Sequence, residues 1–177
     1  LDRGREGHTI ATYPWVTSFA NNIASVAVHD DSVLLTSAYN HNKISKLRIT
    51  LKGAKLLWDQ KAASKVCTPV IHDGHVYWAW QDLFCLDFET GKITWRGGTC
   101  GDPGSCIVTS DGRLIVWAGD GDLSLVELAD RSPEKFTELA SLKSIGKSDA
   151  WSHVVLSQGR IYCKDRSGQI VCLKLPR

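Results

Sequence analysis

The stretch Cys85-Leu-Asp-Phe-Glu-Thr-Gly-Lys-Ile-Thr-Trp95 decides the architecture of this chain. An apolar, strand-forming run from Leu83 to Phe88 breaks at Glu-Thr-Gly and gives way to a second strand that carries Trp95. Asp87 opens the turn, because its carboxylate can accept hydrogen bonds from the backbone N–H groups just ahead, and the Thr90 hydroxyl can do the same more weakly. Gly91 supplies the left-handed residue that a three- to five-residue hairpin loop requires. Trp95 then places a large flat ring on the outgoing strand, suited to the wedge between two packed sheets. Burying it removes roughly 150–250 Å² from water, and its indole N–H wants an acceptor.

Working outward, the same grammar recurs. Four segments read as apolar run, tight polar turn, apolar run: VAVHDDSVLL, PVIHDGHVYW, CIVTSDGRLIVW and HVVLSQGRIYC. Their turns align at Asp31, Gly74, Gly112 and Gly159, separated by 43, 38 and 47 residues. Asp-Gly between alternating hydrophobics is a strong hairpin signal. Each hairpin is followed by a further strand. Tryptophan keeps the same phase: Trp15, Trp58 and Trp95 precede their turns by 16, 16 and 17 residues, whereas the fourth position falls near Leu142. Only SPEKFTELASLKS offers a helical start, and it is otherwise read as a loop and a strand. Four strands per unit at a period near 40 residues predict an all-β β-propeller of about four blades, with a two-sheet sandwich as the competing fold. The chain, 1–177, is read as a single partial propeller domain. Its blades are placed at approximately 23–60, 66–97, 104–139 and 149–175, and residues 10–17 are read as the outer strand of a preceding blade.

With Cys85 in place of Ala, CLDFETGKITW resembles the tryptophan-docking motif of quinoprotein propellers, A-x-D-x-x-T-G-x-x-x-W, matching at Asp87, Thr90, Gly91 and Trp95. LKGAKLLW, ending at Trp58, is similar to a degraded copy. Residues 10–175 resemble the later part of PQQ-like repeat propellers, the group that includes outer-membrane assembly factor B-like proteins. The resemblance implies that Asp87, Thr90, Gly91, Trp95, Trp58 and Trp15 lock blades together. It also implies a C-terminal half of a ring that usually has seven or eight blades, and a bacterial periplasmic or envelope location. The expected partner is the remaining N-terminal blades, on a separate or cleaved chain, or a second copy; an envelope protein is a further candidate.

The motif is structural, and it does not imply quinone binding. A quinone-dependent dehydrogenase also needs calcium held by carboxylate and amide oxygens, plus a base; no local motif supplies these. The expected function is therefore a non-enzymatic scaffold or binding module, with no catalytic residue, no metal and no cofactor. The alternative is a fragment of a PQQ-dependent dehydrogenase, with PQQ and calcium.

Other features bound the answer less tightly. Lys plus Arg number 21 and Asp plus Glu 19, so the net charge of +2 gives no reason to expect a nucleic-acid partner. No apolar run approaches the ~20 residues of a transmembrane segment. LDRGREGHT carries no signal-peptide pattern, and the absence of methionine leads us to expect a processed or cut N-terminus. Of six cysteines, four lie in strand-like runs and read as buried thiols. Cys100 and Cys106 bracket a GDPGS loop able to close a disulfide. No CxxC pair marks a zinc site. Tyr39, Asn40 and His41 sit in a loop that is either a plain polar hairpin or a set of ligand contacts on a propeller face. GDGD, Gly119 to Asp122, reads as a hairpin because it lacks the further spaced carboxylates of a calcium loop. Trp78 and Trp80 share a face, either core or stacking platform.

Overall fold

A computed structural model describes residues 7, 9–102 and 104–175; most of the stretch read for a signal pattern lies outside them. The described chain is built of four antiparallel sheets in sequence order. The first comprises β1 (Ala27–His29), β2 (Ser32–Ser37), β3 (Lys43–Thr50) and β4 (Gly53–Gln60), paired in that order. The second comprises β5 (Val70–His72), β6 (His75–Asp87) and β7 (Ile93–Gly101). The third contains β8 (Ser105–Val108), β9 (Arg113–Ala118), β10 (Asp122–Glu127) and β11 (Glu138–Leu142), and the fourth β12 (Val155–Ser157), β13 (Arg160–Lys164) and β14 (Ile170–Lys174). These are the meander blades of a β-propeller.

The second blade has four limbs although only three strands are continuous. β6 doubles back at Gln81, which has φ 62°. The Trp78 and Phe84 rings stack at 4.8 Å, and the Phe88 N–H donates to the Gly74 carbonyl at 2.9 Å. Fully extended, residues 78 and 84 would stand roughly 20 Å apart. The turns that join first and second strands follow the sequence reading. Asp73-Gly74 and Gln158-Gly159 hold positive φ at both residues, the geometry whose twist matches the flanking strands.

Packing follows the period of two. In β6, Val76 and Trp78 face the first blade, while Tyr77 and Ala79 face the third. The apolar core is thus a series of layers between successive sheets, rather than one centre. A third layer joins Ile115, Trp117 and Leu123 to Ile161 and Cys163 across the last pair. Trp117 is fully buried, and its indole N–H donates across that layer to the Lys164 carbonyl at 3.1 Å. The strands that begin the first three blades, β1, β5 and β8, lie next to one another.

Several expectations are revised in detail. Residues 10–17 belong to no strand, since no neighbouring strand among the described residues pairs with them. SPEKFTELASLKS forms a loop followed by β11, not a helix. Cys100 and Cys106 are both buried free thiols, so the GDPGS loop closes no bridge. The fourth blade has three strands among the described residues.

Candidate functional site

The motif that opened the reading is an ordered turn. The Asp87 carboxylate accepts from the Thr90 N–H at 2.7 Å and from its hydroxyl at 2.6 Å, and the Gly91 N–H donates to the Asp87 carbonyl at 2.9 Å. The Thr90 hydroxyl is the main cause that holds the Asp87 carboxyl below its ordinary range. Trp58 of β4 lies flat against Gly91, and its Nε1–H donates to the Phe88 carbonyl at 3.1 Å. Beside it is a residue that sequence reading missed. Lys46 is 2% exposed, and its Nζ reaches Glu89 at 2.9 Å and the Phe88 carbonyl at 3.2 Å while lying 3.7 Å from the Phe88 ring centre. A Lys in an alternating strand looks solvent-facing; only the neighbouring blade's turn, 43 residues away, supplies its partner.

Trp95 is 4% exposed and packs between Tyr77 of its own blade and Phe136 of the third, with ring centres 6.0 and 6.2 Å away. Its N–H has no acceptor among the described residues, contrary to expectation. Trp15 is placed differently from the other two: it stacks on His41 at 4.5 Å with the rings nearly parallel.

The register explains the missing fourth tryptophan. Trp58 stands opposite Lys46 and Trp95 opposite Cys85, each three residues before the residue aligned with its blade's first turn. The same count along β10 gives Leu125, whose partner on β11 is Ala140 rather than Leu142. The position that carries indole at two junctions therefore carries a methyl group at the third. A hollow of about 340 Å³ opens there, lined by Leu123, Leu125, Ala140, Leu142, Ile161 and Leu175 among others.

Because successive strands alternate in direction, the loops between second and third strands share one end of the sheets with the connections between blades. That end gathers tryptophans paired with charges. Lys43 lies 5.2 Å over the Trp15 ring and pairs with Asp59 at 3.2 Å. The Trp80 N–H donates to Asp102 at 3.0 Å, and Asp102 also pairs with Lys65. Arg166 lies 4.6 Å over Trp151, which is 40% exposed, and pairs with Asp149 at 3.2 Å. Sequence reading left Trp80 between core and platform and did not single out Trp151. Trp78 is core, whereas Trp80 is half-buried at the rim.

Tyr39, Asn40 and His41 lie on this end. Asn40 accepts from the Ser18 N–H at 2.8 Å, and the His41 ring bonds the Val16 carbonyl. Two of the three thus hold the 16–18 segment, and Tyr39 is left half-buried beside them. Asp122 of the GDGD turn accepts from Lys143 and from the Ser144 N–H at 2.8 Å, so its carboxylate serves the next connection. Among the described residues no three His, Cys, Asp or Glu side chains converge as metal ligands.

No family model matches the chain, and no curated protein matches it. Solved structures do. The computationally designed Ika4 protein is similar at TM-score 0.70 and 11% identity, over 96% of this chain and 99% of that one. BamB from Moraxella catarrhalis is similar at TM-score 0.68 and 13% identity, over 86% of this chain and 46% of BamB. The C-terminal WD40 domain of Sif2 is similar at TM-score 0.64 and 12% identity, over 86% and 46%. The chain thus spans about half the length of BamB and of the Sif2 domain. The fold is that of β-propeller blades. No helix among the described residues is long and apolar enough to cross a membrane.

Proposed function

We propose that the chain works without chemistry of its own, as a propeller segment whose loop-bearing end binds a protein partner. The observation that carries this is the recurrence of a tryptophan with a charged neighbour at three places along one end: Trp15 with Lys43, Trp80 with Asp102, Trp151 with Arg166. Tryptophan and arginine dominate the energetics of protein interfaces because a large ring and a planar cation can both be desolvated around satisfied hydrogen bonds. The resemblance to outer-membrane assembly factor B-like proteins supports a bacterial envelope location. The dehydrogenase reading is tested by calorimetric titration with calcium and PQQ. We expect no stoichiometric binding of either; sub-micromolar binding of both would replace the scaffold with a quinoprotein.

The outer faces of the first and fourth sheets support a second contact. Val26 and Val28 are 54% and 61% exposed, and Val155 and Ile170 are 50% and 67% exposed. Apolar sheet faces of this kind are association surfaces. In the working assembly, further blades cover them, carried by another polypeptide or by a second copy. Light scattering of the purified chain is therefore expected to report a species heavier than 19.5 kDa. A stable 19.5 kDa monomer would overturn this reading.

A further inference from the structure

The junction between the third and fourth blades lacks the ring that the first two junctions contain. In the first blade Leu34, Lys46 and Trp58 stand side by side across β2, β3 and β4. In the third blade the corresponding row across β9, β10 and β11 is Ile115, Leu125 and Ala140. The hollow of about 340 Å³ is lined by this row, and Leu123, Leu142, Ile161 and Leu175 complete its apolar wall. The hollow continues the core between the blades: Ile115, Leu123 and Ile161 belong both to its wall and to the buried layer that joins the third blade to the fourth. Leu142 and Leu175 are 48% and 37% exposed, which is apolar surface that this layer leaves uncovered. The same junction supplies an acceptor. The Leu175 N–H donates to the Gly159 carbonyl at 2.9 Å, as the Phe88 N–H does to Gly74. Leu175 therefore repeats the place of Phe88, whose carbonyl accepts the Trp58 N–H at the first junction.

We propose that the hollow between the third and fourth blades is a binding site for a small, uncharged bicyclic aromatic of the indole class, seated where Trp58 and Trp95 place their own rings at the other two junctions. The ring lies over Ala140, in the space that a tryptophan side chain there would fill, with its N–H toward the Leu175 carbonyl. Size fits this class. An apolar cavity of about 150 Å³ is enough to take benzene, and a pocket for a whole small ligand begins near 300 Å³. Charge fits it too. Asp111 and Arg113, which also line the hollow, are joined to each other in a salt bridge, so the pair neutralises itself and calls for no ionic ligand. Filling the hollow removes the Leu142 and Leu175 side chains from water, and that burial drives binding. The inference rests on this one junction and stands apart from the scaffold reading.

The test titrates the full chain with indole, by calorimetry for affinity and by two-dimensional amide spectra for location. We expect saturable binding of one indole per chain, with Kd on the order of 0.1–1 mM for a ligand of this size. The amides that shift should be those of Leu123 to Leu125, Ala140 to Leu142 and Ile161. Ala140→Trp supplies the missing ring from the chain itself. It should abolish indole binding and raise the melting midpoint by roughly 2–6 °C, as cavity filling does. Ala140→Leu fills less of the hollow and should weaken indole at least about fivefold; it decides the matter if the tryptophan protein fails to fold. N-acetyltryptophanamide, which carries the same ring on a peptide backbone, should bind more weakly than indole. Tighter binding of that compound would make the site a dock for a partner's tryptophan and overturn the small-ligand reading. Absence of saturation up to the solubility of indole, shifts confined to the outer faces at Val26, Val28 and Val155, or unchanged affinity in a folded Ala140→Trp protein would each overturn the proposal.

Discussion

Trp95→Ala is expected to lower the unfolding free energy by roughly 3–5 kcal/mol in a urea titration, the range for removing a large aromatic from a core. The ring is 4% exposed and is flanked by Tyr77 and Phe136, one from each of two blades. Its removal leaves a void that neither sheet can fill alone. Gly97 shows how closely the third blade's loop approaches, since a Cβ there would meet Phe136 at 2.5 Å. A loss under ~1 kcal/mol would mean that the ring joins nothing. Replacement by a smaller aromatic adds a sign. The Trp95 N–H has no acceptor among the described residues, whereas the Trp58 N–H is bonded to Phe88. A buried donor without a partner costs about 1–3 kcal/mol. Trp95→Phe should therefore be milder than Trp58→Phe, although Trp95 is the more deeply buried of the two.

What could be read along the chain is what short-range chemistry determines. The hairpins at Gly74, Gly112 and Gly159 follow from turn residues and alternation within ten residues. The turn from Asp87 to Gly91 is held together by its own side chains. Contacts between blades leave no such trace. Lys46 with Glu89, and Trp80 with Asp102 on the connection to the next blade, are separated by 43 and 22 residues, and each residue alone reads as ordinary strand or loop. Strand parity in the fourth blade, too, is settled only by the register. The register pairs Val155 with Tyr162 and Leu156 with Ile161, so Ile161, Val171 and Leu173 point to the third blade and Val155 points away. Ala140 was hidden for a related reason. The ten-residue connection before β11 and the register shift between Leu125 and Val126 move the tryptophan position two residues from where spacing puts it.

Gly91→Ala is expected to cost about 3–4 kcal/mol, and Gly74→Ala only about 1–2 kcal/mol, the penalty for holding a side chain in the left-handed region. The two glycines share that conformation, with φ of 71° and 73°. They differ in what a Cβ would meet. At Gly74 nothing lies within 4 Å; at Gly91 the Trp58 ring lies at 2.6 and 2.8 Å. The ring cannot withdraw cheaply, because its N–H is tied to the Phe88 carbonyl and Lys46 stands opposite it on β3. Gly91 is therefore both a turn residue and the floor on which the preceding blade's tryptophan rests, which explains why glycine sits four residues before a tryptophan in CLDFETGKITW: the second blade offers a bare backbone to the blade before it and a ring to the blade after. A double-mutant cycle isolates the contact. In a Trp58→Ala background the cost of Gly91→Ala should fall to that of Gly74→Ala, because only the backbone penalty remains. If Gly91→Ala costs the same with and without Trp58, the glycine serves its own turn alone, and the junction between these two blades must be held by Lys46 and its partners.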